Sequence, residues 1–236
     1  MIPFKDDNPR GTTPYVTIAL IAINVIVFIY EFSLGQRGFT EFTVKYGLIP
    51  AELMSGRDLM APEMSYLSTS PYLNLFTSMF MHGGFMHLGG NMLYLWIFGD
   101  NIEDTLGHVW FAFFYIISGI AATLTFVFIE PSGEVPLVGA SGAIAGVLGA
   151  YLVRFPYAKV YTLIFLFYFI RIIRLPAVFV LGFWFILQLI SGTNSLAVSQ
   201  SGGGVAWFAH IGGFAFGAIL FLVLGKRPKK IHRFYR

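Results

Sequence analysis

Four polar side chains stand in an otherwise apolar chain at spacings suited to acyl-transfer chemistry. His87 and Asn91 are four apart and so share one helix face; Ser141 lies in Gly139-Ala140-Ser141-Gly142, and His210 in Ala209-His210-Ile211-Gly212-Gly213. A serine hydroxyl is a weak nucleophile until a base takes its proton, and neutral histidine is the usual base near pH 7. Ser141 and His210 could form such a dyad. The tetrahedral oxyanion of acyl transfer also needs donors, which the backbone N–H of Ser141 at a helix start and the side chains of Asn91 and His87 could supply. The usual third member, a carboxylate, is missing: Asp100, Glu103 and Asp104 are placed near the opposite membrane face, since an unpaired carboxylate at depth is costly. Taken singly, each group has a plainer reading. A serine among glycines and alanines more often serves close packing, and a lone histidine in a span can simply bond a neighbouring carbonyl.

The elements that hold these residues follow from composition. Of 236 residues, 56% are hydrophobic, 18% aromatic and only 11% charged, against about 25% charged in soluble domains. This composition excludes a water-soluble globule. Spanning helices need about 20 apolar residues each, so five to seven of them use the whole chain, and residues 1–236 read as a single membrane domain. The expected fold is an all-α polytopic membrane protein of six transmembrane helices, at about 15–32, 80–102, 108–129, 139–155, 176–190 and 205–224, with a basic tail at 225–236. The polar run from Asp100 to Gly107 reads as a tight turn between the second and third spans. The connection from Ser33 to Leu75 is long enough to be functional or interfacial. The apolar stretch before Pro176, broken by Arg171 and Arg174, is expected at a membrane interface. The polar stretch from Met1 to Pro14 precedes an apolar run of spanning length, which is not the pattern of a cleavable signal.

Charge sets the orientation. Twelve of the fifteen Lys and Arg, including six in the tail, fall on one side of a six-span arrangement, and only Arg37, Lys45 and Arg57 on the other. Basic loops stay inside, so both termini are expected in the cytoplasm. The tail is read as a topology signal that can also meet anionic lipid, not as a nucleic-acid site. The absence of cysteine excludes disulfides, thiolate metal sites and cysteine nucleophiles.

Depth brings three of these residues together. Ser141 is 13 residues from Arg154, and His87 is 13 from Asp100, about 20 Å each at 1.5 Å per residue. His210 is 16 residues from Lys226, about 24 Å. In a core about 30 Å thick, all three lie roughly 6 to 10 Å below the outer face. Laterally, Gly142, Gly146 and Gly149 form a small-residue face on the fourth span, and His210, Gly213 and Gly217 share a face of the sixth. If those faces meet, Ser141 and His210 come within hydrogen-bonding reach; the plainer alternative is that the glycines only build a bundle or a dimer.

At His87-Leu-Gly-Gly-Asn91, Gly139-Ala-Ser141-Gly and Ala209-His210-Ile-Gly-Gly-Phe-Ala-Phe-Gly217, in this order and on spans two, four and six, the sequence resembles the rhomboid family of intramembrane serine proteases. The resemblance covers nearly the whole chain. It implies that Ser141 is the nucleophile and His210 the base, with His87, Asn91 and Ser141 itself in the oxyanion hole. It also implies that the helix of a single-span membrane protein enters sideways and is cut near the outer membrane face without metal or cofactor. Two departures stand out. Some members carry an aromatic residue four positions after the serine that stacks on the histidine, where this chain has Ala145, which leaves open what orients His210. The Trp-Arg pair of the first outer loop in many members is absent between Ser33 and Leu75, where Tyr46-Gly47-Leu48 is a candidate for a related structural role. Side entry needs a gate, expected at the fifth span with Phe183 and Trp184, either of which could equally face lipid. Gly202-Gly203-Gly204 would let the adjacent loop move. His82 has two readings of equal weight, support of the site or a place at the outer interface, whereas His108 and His232 read as structural or solvated.

Two other functions compete: a non-catalytic relative that binds client helices without cutting them, and a small transporter. Retention of both Ser141 and His210 speaks against the first, and a polar cluster off-centre with no mid-depth carboxylate against the second. Short loops fit a bacterial inner membrane, with an organelle membrane as the alternative.

Overall fold

The computed structural model describes residues 1–57, 59, 69–166, 169–197 and 206–224. The glycine triplet at 202–204, Val205 and the basic tail with His232 lie outside the described residues. Nine α-helices are described: α1 (Tyr15–Ser33), α2 (Gly35–Tyr46), α3 (Pro50–Ser55), α4 (Pro71–Thr77), α5 (Phe85–Leu106), α6 (His108–Ile129), α7 (Ser141–Arg154), α8 (Ala177–Ala197) and α9 (Trp207–Leu224). Four of them, α1, α6, α8 over Ala177–Ser195 and α9, are long and apolar enough to cross a membrane by length and composition. The helix α7 is apolar but has only 14 residues, and α5 is diluted by His87, Asn91, Asp100 and Asn101. The chain is therefore a mostly helical integral membrane protein.

The expected all-α fold is not complete. Strands β1 (Ile2–Asp6), β2 (Lys159–Leu166) and β3 (Phe169–Pro176) form an antiparallel sheet in the order β1-β2-β3. The stretch expected to lie at an interface is thus a hairpin, paired from Lys159 with Pro176 to Leu166 with Phe169. Its run of Val, Ile, Tyr, Thr and Phe favours extended backbone, and the N-terminal strand completes the ladder from a distance of about 150 positions. Tyr151 of α7 donates to the Asp6 carboxylate at 2.5 Å, and the Lys159 N–H to Asp7 at 2.8 Å, which ties the sheet to the Arg154 end of the bundle.

The expected turn at Asp100 to Gly107 is also corrected: α5 continues through Leu106, and the chain reverses at Gly107, whose φ of +83° suits glycine. The acidic residues of that last stretch are employed rather than solvated. Glu103, fully buried, accepts from the N–H groups of Val16 and Thr17 and from the Thr17 hydroxyl, at 2.7 to 2.9 Å. A carboxylate from a neighbouring helix thereby satisfies the first turn of α1 and complements its dipole. Asp100 pairs with Arg10 at 3.3 Å, and Asp104 accepts from Gly11 and Thr12.

At the other end, the described parts of the long connection after α1 are pinned. Leu48 is fully buried and exchanges two backbone hydrogen bonds with Leu137. Asn74 of α4, also buried, donates to the carbonyl of Gly47 at 2.9 Å, and Thr77 to that of Tyr46 at 2.7 Å. Tyr46-Gly47-Leu48 is thus an anchored corner, held by amide and hydroxyl side chains.

The core is centred on α7, in which Gly142 through Tyr151 are all buried. Its two small-residue faces are spent on different neighbours. A Cβ at Gly149 would stand 2.1 Å from the Phe214 carbonyl oxygen, and one at Gly217 would stand 2.3 Å from that of Gly146. Toward α6, a Cβ at Gly142 would meet Ala122 at 2.7 Å, and one at Gly146 would meet Ser118 at 2.5 Å. The fourth and sixth spans therefore touch backbone to backbone, the condition on which the pairing of Ser141 with His210 depended.

Candidate active site

Ser141 is the first residue of α7, where helix N–H groups lack intrahelical acceptors. The turn before it depends on Gly139, at φ +129°, whose N–H donates to the Ser78 carbonyl at 2.8 Å. A side chain at 139 would collide with the His87 ring, with Cε1 and Nε2 both 2.8 Å from the Cβ position, and Ser141 Oγ lies 3.6 Å from the same point. The His87 ring and the Ser141 hydroxyl thus flank one glycine. The Gly83 N–H donates to His87 Nδ1 at 3.4 Å, so in the neutral ring the proton sits on Nε2, the atom beside Gly139.

On α9, His210 reaches the serine: its Nε2 is 2.8 Å from Ser141 Oγ. Close approach of α7 and α9 through Gly213 makes this possible, since a Cβ there would lie 2.2 Å from the Gly142 carbonyl oxygen. The far side of the ring answers the question left by Ala145. That alanine is fully buried in the core, and the aromatic ring against His210 comes instead from Trp184 of α8, with centroids 5.9 Å apart and planes tilted by 35°. Trp207 meets the histidine edge-on at 6.3 Å. His210 Nδ1 has a partner that the sequence reading overlooked, the Gln188 amide oxygen at 2.7 Å. The signal was present: a polar side chain one helical turn after Trp184 in an apolar run.

The remaining candidates divide. Asn91 is buried on α5, one turn after His87, and its Nδ2 has no acceptor among the described residues. His82 is buried with its ring 5.1 Å from that of His87, and its N–H donates to the buried Glu31 carboxylate at 3.4 Å. It therefore backs the site and is not exposed at an interface. Phe183, 47% exposed, faces outward, whereas Trp184 packs against the core. His108 is bonded to Glu103 at 2.6 Å, at the opposite end of α5. Among the described residues no group of three or more His, Asp or Glu could hold a metal ion. The cavity beside Ser141, bordered by Ser78, Gly139, Ala206 and Ala209, is only about 10 Å³, room for about one water molecule.

With a serine, a histidine and an unsatisfied amide donor assembled at the top of a glycine-packed bundle, comparison with known proteins gives the class. The rhomboid domain model matches residues 69–227, and the chain belongs to the rhomboid family. Rhomboid protein 1, mitochondrial, of Saccharomyces cerevisiae is 29% identical over 217 residues, covering 90% of this chain and 54% of the yeast protein. Rhomboid protease GluP of Bacillus subtilis is 32% identical over 140 residues, 59% of this chain and 24% of that protein. Inactive rhomboid protein 1 of Drosophila melanogaster is 32% identical over 93 residues, 39% of this chain and 6% of that protein. The chain thus spans about half the length of the yeast relative and less of the other two.

Proposed function

We propose that the chain is an intramembrane serine endopeptidase that hydrolyses peptide bonds in the helices of single-span membrane proteins. The observation that carries the reading is the 2.8 Å contact between His210 Nε2 and Ser141 Oγ at the start of a helix shorter than the hydrocarbon core is thick. Fourteen residues rise about 21 Å against a core of about 30 Å. With Arg154 at the inner surface, Ser141 is left below the outer one. The bundle then has six spans, α5 and α7 joining the four apolar ones, with both termini in the cytoplasm of a bacterium.

His210 Nε2 takes the hydroxyl proton as Ser141 Oγ attacks the scissile carbonyl carbon, and the carbonyl oxygen becomes the oxyanion. Donors for that oxyanion are the Ser141 N–H, Asn91 Nδ2 and His87 Nε2–H. Collapse breaks the C–N bond, and the imidazolium returns its proton to the leaving amine. Water, deprotonated by the same nitrogen, then releases the acyl group and regenerates the serine. An unpaired buried donor such as Asn91 Nδ2 is costly in a resting protein, and an oxyanion would supply the acceptor it lacks.

Relatives include both a protease and an inactive protein, so the test is direct. The purified protein in liposomes is given a single-span substrate, and the parent is compared with Ser141→Ala and His210→Ala. Both variants are expected to lose cleavage with thermal midpoints unchanged. Cleavage that survives Ser141→Ala would refute the mechanism. A folded parent that neither cleaves nor reacts at Ser141 with a fluorophosphonate would instead be a client-binding protein.

A further inference from the structure

The geometry points to Gln188 as the positioning residue of the base, the neutral counterpart in this chain of the carboxylate in a Ser-His-Asp triad. This inference rests on the proposed Ser141–His210 dyad. The direction of the amide follows from its two contacts. Gln188 Nε2 donates to the Trp184 carbonyl at 3.2 Å, which turns Oε1 toward His210 Nδ1 at 2.7 Å. A carbonyl oxygen only accepts, so Nδ1 must carry the ring proton. The lone pair of the neutral ring then lies on Nε2, 2.8 Å from the hydroxyl it must deprotonate. Without this acceptor the two tautomers would compete, and one of them places an N–H where the base is needed.

An amide suits the location. Gln188 is 6% exposed on a helix apolar enough to span a membrane. A carboxylate there would carry a full charge into the bundle, whereas a satisfied amide carries none. The difference is functional: an amide oxygen fixes orientation while favouring the imidazolium less than an anion would. Trp184, whose ring lies against His210, is on the same helix, so the base is aligned only while α8 is seated against α9. Among the described residues the other histidine at the site is His87, whose ring flanks Gly139 beside Ser141.

The experiment uses the full chain in liposomes, with substrate cleavage as a function of pH and, separately, the rate of fluorophosphonate labelling at Ser141. Gln188→Leu, similar in size but without an acceptor, is expected to lower kcat by about 10- to 100-fold with KM within about twofold, and to slow labelling in parallel. Gln188→Glu restores an acceptor. It should recover most of the lost activity while moving the acid limb of the kcat profile upward by about one pH unit, because an anion stabilises the imidazolium. A Gln188→Leu protein within twofold of the parent in both assays overturns the inference. So does a Gln188→Glu protein as impaired as Gln188→Leu with an unmoved acid limb, since that pattern reports packing. If the parent labels but does not cleave, the protease reading fails and the labelling rates of the variants still decide the role of Gln188. A parent that does neither overturns both.

Discussion

Asn91 and Gln188 are both buried amides, and their surroundings give them opposite parts. Gln188 uses its donor on its own helix and its acceptor on His210. Asn91 Nδ2 finds no acceptor among the described residues, and the proposed reaction supplies one when the substrate carbonyl becomes an oxyanion. Removing such a donor affects the transition state far more than the ground state. Asn91→Ala is therefore expected to lower kcat by about 10²- to 10³-fold, with little change in KM and no loss of thermal midpoint. Steady-state cleavage beside a melting curve checks both. A large rise in KM with kcat unchanged would place Asn91 in substrate binding. Trp184 shows how one residue's job can move: the ring expected four positions after the serine is replaced by the small, buried Ala145, and α8 supplies a ring from another direction.

Glycines on the helices are not equivalent, and the space around each decides its tolerance. At Gly149 and Gly217 an added methyl meets backbone of the facing helix at 2.1 and 2.3 Å, atoms that cannot rotate away. Gly149→Ala and Gly217→Ala should each destabilise by at least the 1 to 3 kcal/mol typical of overpacking, read as a lower thermal midpoint in detergent. Gly182→Ala on α8 has nothing within 4 Å and should be neutral or slightly stabilising, because alanine favours helix by up to ~1 kcal/mol. The sheet carries a pH dependence. Burial raises the Asp6 carboxyl to about 6, against the opposing hydrogen bond from Tyr151. A carboxyl raised in the folded state favours folding while it is protonated. Its contribution is full below the ordinary value of 3.8 and is lost as pH rises through about 6. The parent should thus lose thermal midpoint between pH 4 and about 6.5, and Asp6→Asn, which keeps an acceptor for Tyr151, should flatten that slope. A slope unchanged in Asp6→Asn assigns the effect to other groups.

For the molecule as a whole, the open question is which end faces the cytoplasm. Because the chain has no cysteine, single cysteines report position cleanly. Tyr72 on α4 and Tyr157 beyond α7 are 72% and 79% exposed and belong to opposite ends of the bundle. In spheroplasts of a bacterial host, a membrane-impermeant maleimide should label Tyr72→Cys at once and Tyr157→Cys only after permeabilisation. The reverse order would invert the proposed topology and place the Ser141 end inside. The same two ends differ in how they are fastened. One is closed by Asp6, Asp100, Glu103 and Asp104 and their partners; at the other, Asn74, Thr77 and Leu48 pin the corner at Tyr46-Gly47-Leu48.

Several features are legible in the residues themselves. Apolar runs of spanning length locate α1, α6, α8 and α9, because a hydrocarbon core selects for length and composition along the chain. Isolated polar residues in those surroundings single out His87, Asn91, Ser141 and His210, and glycine spacing offers faces through which α7 and α9 can meet. All of these are local or periodic signals. The rest is decided by contacts between distant positions. Gln188 and His210 are 22 residues apart on different helices, the partner of β2 lies at the other end of the chain, and Glu103 caps a helix 86 residues before it. Hydrogen bonds of this kind depend on which faces the folded helices turn toward one another, and no spacing along a single element encodes that choice. Residue types therefore name the nucleophile and the base proposed here, and the tertiary structure decides how the base is held.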